Sequence, residues 1–441
     1  MRKYFGTDGV RGTVGEFPIT PDFAMRLGYA VGVVLKKSFS KPAVVIGKDT
    51  RISGYLFESS LEAGFSYAGV DVYMVGTIPT PAVAHLTQKL NLSAGVVISA
   101  SHNPYGDNGI KLFSDKGSKL SDAVELEIEE VLDLPMVKAE QLGKVFRLED
   151  ARKHYINFCK SSFPSELSLK GLKIVLDCAN GATYHVAPEI FSELGANIVK
   201  IACEPNGTNI NYECGSTHPE NLVKTVVAEK ADLGITFDGD GDRVLFVDKF
   251  GKIYDGDKLT YIILKSYLLQ NKKIAGVVGT VMTNLAMEHA LQKNGFELIR
   301  AAVGDRYVLE ELKKRNWFLG GESSGHILCL EHHTTGDGII SALQVLVALI
   351  KQNTSLDTLV DWQEYPQTMI NVKLQSKIDT KNWNEEIKNI MKEASLDLTD
   401  NGRIVVRPSG TEPVVRVMVE AKSKDSANKW AEKIANAIKN S

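Results

Sequence analysis

Short, apolar, β-branched runs alternate with segments of helical periodicity along most of this chain, and the alternation restarts twice. Ala43-Val44-Val45-Ile46-Gly47, Val70-Asp71-Val72-Tyr73-Met74-Val75 and Ala94-Gly95-Val96-Val97-Ile98 have the length and composition of strands. A helix is expected to open at Thr20-Pro21, with a capping side chain and proline at the first helical position. Phe23, Leu27, Ala30 and Val34 then recur at helical spacing. This is the β-α-β pattern of a parallel sheet with crossover helices. Near residue 155 it restarts, with strands expected at 172–177, 196–201 and 233–237. Near residue 256 it restarts again, with strands at 276–279 and 296–300. From about residue 367 the order becomes strand (369–374), helix, two strands and a final helix (426–439), an α+β ending.

The 441 residues are enough for three or four domains at about 100–150 residues each. A net charge of -3 gives no global field for nucleic acid or an anionic membrane. A ligand rich in phosphate would have to meet locally concentrated positive charge. The N-terminus lacks the apolar core of a signal peptide, and no apolar run is long enough to span a bilayer. The cysteines (Cys159, Cys178, Cys203, Cys214 and Cys329) are scattered and form no Cys-x-x-Cys pair. That argues against a disulfide framework or zinc site and for a reducing compartment, the cytoplasm.

Four loops carry chemistry. Ser101 lies in Ser99-Ala100-Ser101-His102-Asn103-Pro104, directly after the strand-like run ending at Ile98 and shortly before Lys111. In open parallel sheets that is where ligands bind, although an isolated Ser-His-Asn-Pro can equally be a polar turn. Asp238-Gly239-Asp240-Gly241-Asp242-Arg243 follows a strand with three carboxylates at alternate positions. Their repulsion calls for a hard cation, and Mg²⁺ fits best because it combines a few carboxylates with phosphate oxygens. A calcium EF-hand loop is excluded, because its glycine and glutamate positions hold Arg243 and Lys249.

Gly320-Gly321-Glu322-Ser323-Ser324-Gly325-His326 contains Gly-x-Ser-x-Gly, but a strand rather than a helix is expected after it. No histidine follows the later acidic residues, so the hydrolase elbow fails. What remains is either a polar hairpin or a loop whose Glu322 and Ser324 suit sugar hydroxyls, with His326 as acid/base or phosphate neighbour. Arg407-Pro408-Ser409-Gly410-Thr411-Glu412-Pro413, followed by Arg416, reads as a hairpin turn or a phosphate cradle. Two smaller loops add cations: Gly6-Thr7-Asp8-Gly9-Val10-Arg11-Gly12, and Gly47-Lys48-Asp49-Thr50-Arg51 at a strand end. No Gly-Lys-Ser or Gly-Lys-Thr occurs, so a P-loop nucleotide donor is excluded.

In this order the loops resemble the α-D-phosphohexomutase superfamily over essentially the whole chain. The Gly-Thr-Asp-Gly-Val-Arg-Gly opening, Cys214-Gly215-Ser216-Thr217-His218-Pro219-Glu220 and the Ser-Gly-Thr-Glu-Pro ending with Arg416-Val417-Met418 resemble its bacterial glucosamine-phosphate branch. Ser323 departs from that branch, which commonly carries glutamine there. The resemblance implies an α/β fold: three related α/β domains with mixed sheets (1–154, 155–255 and 256–366) and a smaller C-terminal α+β domain (367–441) around a central cleft.

It also implies an isomerase acting on a small phosphosugar, with no nucleic acid or membrane partner, as a monomer or homodimer. Ser101 would be the phosphoryl carrier, phosphoserine in the resting enzyme, binding one Mg²⁺ with Asp238, Asp240 and Asp242. Glucosamine 6-phosphate and glucosamine 1-phosphate would interconvert through a sugar 1,6-bisphosphate, toward amino-sugar nucleotides and cell-wall precursors. Arg11, Lys111 and Arg243 would meet phosphoserine charge, and either Lys111 or His326 would accept the hydroxyl proton. Glu322 and Ser324 would hold the sugar, and Arg407, Ser409, Gly410, Thr411 and Arg416 the non-reacting phosphate. A phosphomannomutase/phosphoglucomutase of the same fold, a Mg²⁺-dependent sugar phosphatase and a phosphosugar-binding regulator are the alternatives.

Overall fold

In the computed structural model, which describes residues 3–6, 8–373, 385–408 and 414–440, the alternation becomes four separate sheets. The first contains β1 (Val10–Thr13), β2 (Ala43–Lys48), β3 (Asp71–Thr77), β4 (Ala94–Ile98), β5 (Asp107–Ser114) and β6 (Val145–Arg147), in the order β1-β5-β4-β2-β3-β6. The second contains β7 (Lys173–Asp177), β8 (Asn197–Ile201), β9 (Leu233–Phe237), β10 (Val244–Asp248) and β11 (Ile253–Tyr254), in the order β11-β10-β9-β7-β8. The third contains β12 (Gly276–Thr280), β13 (Glu297–Ala301), β14 (Leu319–Gly321) and β15 (Ile327–Cys329), in the order β13-β12-β14-β15. The last, β16 (Gln367–Lys373), β17 (Gly402–Pro408) and β18 (Val414–Ala421), is antiparallel with β18 in the middle.

The first three sheets share one plan. A parallel core is joined by one strand that reverses: β4 to β5, β9 to β10 and β14 to β15 are antiparallel neighbours. Each reversal needs a connecting loop, and these loops carry Ser101, the three aspartates Asp238, Asp240 and Asp242, and Glu322 with His326. β4 and β9 are buried at every position, which explains their unbroken apolar runs.

One apolar cluster runs through all three units, from Val45 and Phe113 through Ile174 and Phe237 to Leu343 and Leu346. At its centre the helix Gly338–Gln352 is buried at every position as far as Leu349, as a helix apolar on all sides must be. Asp337 caps it, accepting the N–H groups of Ile339 and Ile340 and the Tyr155 hydroxyl. Among the described residues no helix is long and apolar enough to cross a membrane. The first expected helix forms as Pro21–Ser38, but the Thr20 hydroxyl makes no cap hydrogen bond. Proline at the first position and the buried apolar stripe fix that helix instead.

The fourth unit has its own core around the buried Trp430, whose indole N–H donates to Asp397 at 2.6 Å. Arg403 fastens it to the third unit. Its Nε donates to Glu420 at 2.5 Å and its Nη1 to the Val281 carbonyl at 2.8 Å, while Glu420 also accepts the Leu285 N–H at 2.8 Å. Glu420 is fully buried. Glu420→Ala would leave Arg403 without its counter-charge, a cost of about 3–5 kcal/mol for a buried pair. The calorimetric transition of the fourth unit should move to lower temperature; an unchanged transition would contradict this fastening.

Candidate active site

Ser101 follows the end of β4 with a left-handed φ of 55° and is 2% exposed. A non-glycine residue there is strained, and the loop is correspondingly over-determined. Ser101 N–H donates to Ser99 Oγ at 2.9 Å. Its carbonyl accepts from Arg51 Nη2 at 3.3 Å and Asn211 Nδ2 at 2.9 Å, and the same two donors reach the Asn103 carbonyl. Arg51 is fully buried and paired with Asp49. In the strand-end segment noted for its cations, the arginine pins the serine loop. Ser101 Oγ donates to Asp238 Oδ2 at 2.6 Å and lies 3.3 Å from His102 Nδ1. Burial, with Arg243 and Arg11 adding to it, pushes the His102 imidazole down to about 4, so it is neutral at neutral pH.

The three aspartates are buried, and a carboxylate oxygen from each lies within 4.8 Å of the others. Asp238 Oδ1 accepts the N–H groups of Gly241 and Arg243, each at 3.1 Å, which folds the loop around it. Asp240 Oδ2 accepts from the Thr80 hydroxyl at 2.6 Å and Lys111 Nζ at 2.7 Å. Gly239 has no room for a side chain: a Cβ would stand 2.6 Å from the Ser101 carbonyl. Burial raises Asp238 well above the usual carboxylate range, and repulsion from Asp242 and Asp240 adds to it. The buried Asp240 Oδ1 and Asp242 Oδ1 accept no hydrogen bond from the protein. Mutually repelling carboxylates with unfilled oxygens fit a small hard divalent cation, and Mg²⁺ is the natural occupant.

Around the triad, charges from three units interlock. Lys111 on β5 contacts Asp240, Asp242 and Asp8. Burial alone would lower it, but Asp240, Asp8 and Asp242 outweigh burial and hold it as an ammonium. Lys119 bridges Asp8 and Asp305, each at 2.6 Å. His326 lies between Asp242 at 3.5 Å and Asp305 at 3.4 Å. Burial would depress it, yet Asp242, Asp305 and Glu322 raise it to about 9.

A cleft of about 400 Å³ opens here, with Arg11, Ser101, Asp242, Arg243, Glu322 and His326 on its wall. Glu322 also accepts the Gly304 N–H at 2.8 Å. The sugar loop is a tight hairpin as well as a cleft wall: Glu322 N–H donates to the His326 carbonyl at 3.0 Å. Ser324 Oγ is shielded and unpartnered. Ser323 lines a separate hollow against Tyr365 and Pro366 rather than the cleft.

In the fourth unit, Arg407 on β17 stands directly opposite Arg416 on β18. Burial lowers Arg407 and Arg416 lowers it further, while Glu322 opposes both. Like charges directly opposite destabilise a sheet unless an anion joins them. Ser409, Gly410 and Thr411 lie outside the described residues.

Thr80, Asn211, Asp8, Lys119 and Asp305 were not singled out from the sequence. The acidic Asp8 and Asp305 hold the cations in place, and Thr80 and Asn211 hold the loops. By calorimetry, Mg²⁺ should bind once per chain. Asp240→Asn should weaken that binding by more than the roughly 10- to 100-fold typical of residues that only support a ligand. An unchanged affinity would remove the triad as the metal site.

Comparison with known proteins agrees with the four-unit fold. Four family models match in order: phosphoglucomutase/phosphomannomutase α/β/α domain I over residues 2–134, domain II over 153–251, domain III over 255–365, and the C-terminal domain over 369–437. Phosphoglucosamine mutase of Neisseria subflava is 58% identical over 442 aligned residues, covering 99% of both chains. That of Chromobacterium violaceum is also 58% identical, covering 99% of this chain and 98% of its own. Among solved structures, a phosphoglucomutase/phosphomannomutase family protein from Burkholderia thailandensis shares the fold at a TM-score of 0.82 and 24% identity, covering 100% of this chain and 98% of its own. N-acetylphosphoglucosamine mutase of Aspergillus fumigatus, solved with GlcNAc-6P and magnesium, does so at 0.68 and 17%, covering 100% and 96%. With relatives this close along its whole length, the chain belongs to the phosphoglucosamine mutase family of the α-D-phosphohexomutases.

Proposed function

We propose that this enzyme interconverts glucosamine 6-phosphate and glucosamine 1-phosphate, with Ser101 as the phosphoryl carrier and a 1,6-bisphosphate as the intermediate. The observation that carries the reading is the Ser101 hydroxyl, held 2.6 Å from Asp238 at the floor of a cleft lined by Arg11, Arg243 and His326. Phosphoryl transfer asks little covalent work of a protein; positioning and charge neutralisation do most of it.

In the forward direction, the free hydroxyl of the sugar phosphate attacks phosphoserine 101. The new P–O bond forms as the bond to Oγ breaks, and Ser101 keeps that electron pair. The bisphosphate turns around in the cleft and returns its other phosphoryl group to Ser101. Asp238, Asp240, Asp242 and one phosphoserine oxygen would hold Mg²⁺. A divalent cation bound there would, with Lys111, offset the charge of the three carboxylates and the transferring phosphate and weaken the negative field that keeps His326 protonated.

Lys111 stays enclosed by Asp8, Asp240 and Asp242, so we assign it charge balance. His326, on the cleft wall, is assigned the hydroxyl proton, which it would accept once it has lost the proton that its acidic neighbours favour. We assign Arg11 and Arg243 to phosphoserine, Glu322 to sugar hydroxyls together with Ser324, whose Oγ would have to be uncovered first, and Arg407, Ser409, Gly410, Thr411 and Arg416 to the non-reacting phosphate. All five cysteines are free, and we place the enzyme in the reducing cytoplasm.

Turnover on glucosamine 6-phosphate should exceed that on glucose and mannose phosphates; the reverse order would favour a phosphoglucomutase or phosphomannomutase, and net phosphate release a phosphatase. Ser101→Ala should lose turnover while keeping the native circular dichroism spectrum, and near-normal turnover would end the carrier assignment. Arg407→Ala should raise KM by about 10- to 100-fold, the loss of one charge-assisted contact of roughly 1.5–3 kcal/mol. A loss confined to kcat would contradict its role in holding phosphate.

A further inference from the structure

The five thiols occupy unlike settings. Burial pushes Cys159 well up, Cys214 up to about 12 and Cys329 up to about 11. Cys203 alone is held below the ordinary thiol value, chiefly by its contact with the thiol of Cys178. The same contact, with burial, pushes Cys178 well up.

The backbone brings these two together. β7 and β8 are parallel neighbours with Asp177 opposite Ile201, so their ends leave the sheet side by side. Cys178 N–H donates to the Ile201 carbonyl at 3.3 Å, and Cys203 Sγ reaches the same carbonyl at 3.2 Å. The register, continued one step, sets Cys178 opposite Ala202, the residue before Cys203, and both cysteines close on the one Ile201 carbonyl. Ala202 has φ 47° and Ala179 φ 54°, so a left-handed alanine adjoins each cysteine. Such residues are uncommon and mark strained, over-determined backbone. The Ala202 turn brings Cys203 back against the ladder, half-buried and packed on the core that encloses Cys178.

The segment after Cys178 touches both catalytic loops. The Ala179 carbonyl accepts the Asn211 N–H at 2.9 Å, and the Asn211 side chain holds the Ser101 and Asn103 carbonyls. Ala182 N–H donates to the Gly239 carbonyl at 2.8 Å. A Cβ on Gly181 would stand 2.4 Å from that oxygen, so the segment cannot shift without moving the metal loop.

We propose that Cys203 and Cys178 form a reversible disulfide under peroxide, and that this bond displaces the serine loop through Asn211. The Cys203 thiolate attacks one peroxide oxygen; the S–O bond forms, the O–O bond breaks, and water leaves after taking up a proton. Cys178 then attacks the sulfenic sulfur; the S–S bond forms, the S–O bond breaks, and the hydroxyl departs as water with the Cys178 proton. Two electrons pass from the thiols to the peroxide, and a dithiol returns them. A partly buried thiol held below its ordinary value, backed by a buried resolving partner, is the arrangement such chemistry requires.

The full-length enzyme, treated with hydrogen peroxide at a small excess, tests this. Non-reducing peptide mapping should link Cys178 to Cys203, with an intact mass lower by two hydrogens. Turnover should fall about tenfold, in the range of ordinary coupling between sites, and dithiothreitol should restore it. Cys203→Ser should keep its turnover through the same treatment. The activity arm rests on the mutase reading, whereas the peptide map and hydrogen exchange over residues 99–106 do not. If the reduced enzyme has no turnover, the fault lies with the mutase reading, and those two measurements still decide this one. A sulfinic acid at Cys203, a Cys203–Cys214 link, equal inactivation of Cys203→Ser, or a Cys178–Cys203 link that alters neither turnover nor exchange would each overturn the proposal.

Discussion

Three carboxylates within 4.8 Å of one another cannot all be buried and ionised without counter-charge, and meeting that requirement arranges the rest of the molecule. The second unit supplies the aspartates but not the lysine that balances them. Lys111 comes from the first unit and contacts Asp240 and Asp242, while Thr80, also from the first, closes on Asp240. The third unit adds His326 against Asp242. Each unit is incomplete without its neighbours, so the apolar cluster shared by all three is matched by a polar network with the same membership. A buried network of this kind is weak evidence for stability and better evidence for a fixed geometry.

The second constraint is topological. In each of the first three sheets a parallel core strand is followed by a reversed one, and the loop between them leaves at the carboxyl end of the core strand. Parallel sheets place their ligands at that end. The three loops thus reach one cleft by the same structural step taken three times. The sequences differ because the tasks differ: a strained serine, a carboxylate triad and a glutamate–histidine hairpin. The fourth unit, with its antiparallel sheet, is a smaller body fastened where Arg403 donates to backbone carbonyls of the third unit and Glu420 accepts the Leu285 N–H.

Much of this was legible in the sequence because its signals are local. Ser101 stands at the end of an apolar run, the aspartates follow one another at alternate positions, and the change of order near residue 367 needs no partner to be seen. The supporting residues are a different matter. Asp8 and Asp305 each look like ordinary loop carboxylates until Lys119 is found between them. Asn211 becomes a clamp only through contacts made 110 and 108 residues away in sequence. Arg51 misled in the opposite sense. Its place at a strand end suits a phosphate contact, but its neighbour Asp49 turns it inward, where it serves the loop rather than the ligand. Thr20 has the identity of a cap without the bond. Long-range pairing decides such cases, and a single sequence does not display it.

On the proposed reading, the placement of Arg407 and Arg416 would give the cleft a reason to close. As cross-strand partners they repel each other, and among the described residues Glu322 of the third unit opposes that influence on Arg407. A doubly charged phosphate between them would turn that repulsion into two favourable contacts. A ligand moves an equilibrium between open and closed forms only by binding one of them better. On the proposed reading, substrate satisfies that condition with its two ends: one phosphate is held by the fourth unit, while the hydroxyl meets phosphoserine on the first. Neither body can hold both ends alone. The bisphosphate, with a phosphate at each end, would satisfy the closed form in either orientation. That symmetry explains how an intermediate could turn around without being lost: after half a turn the same two clusters of positive charge face the same two kinds of group.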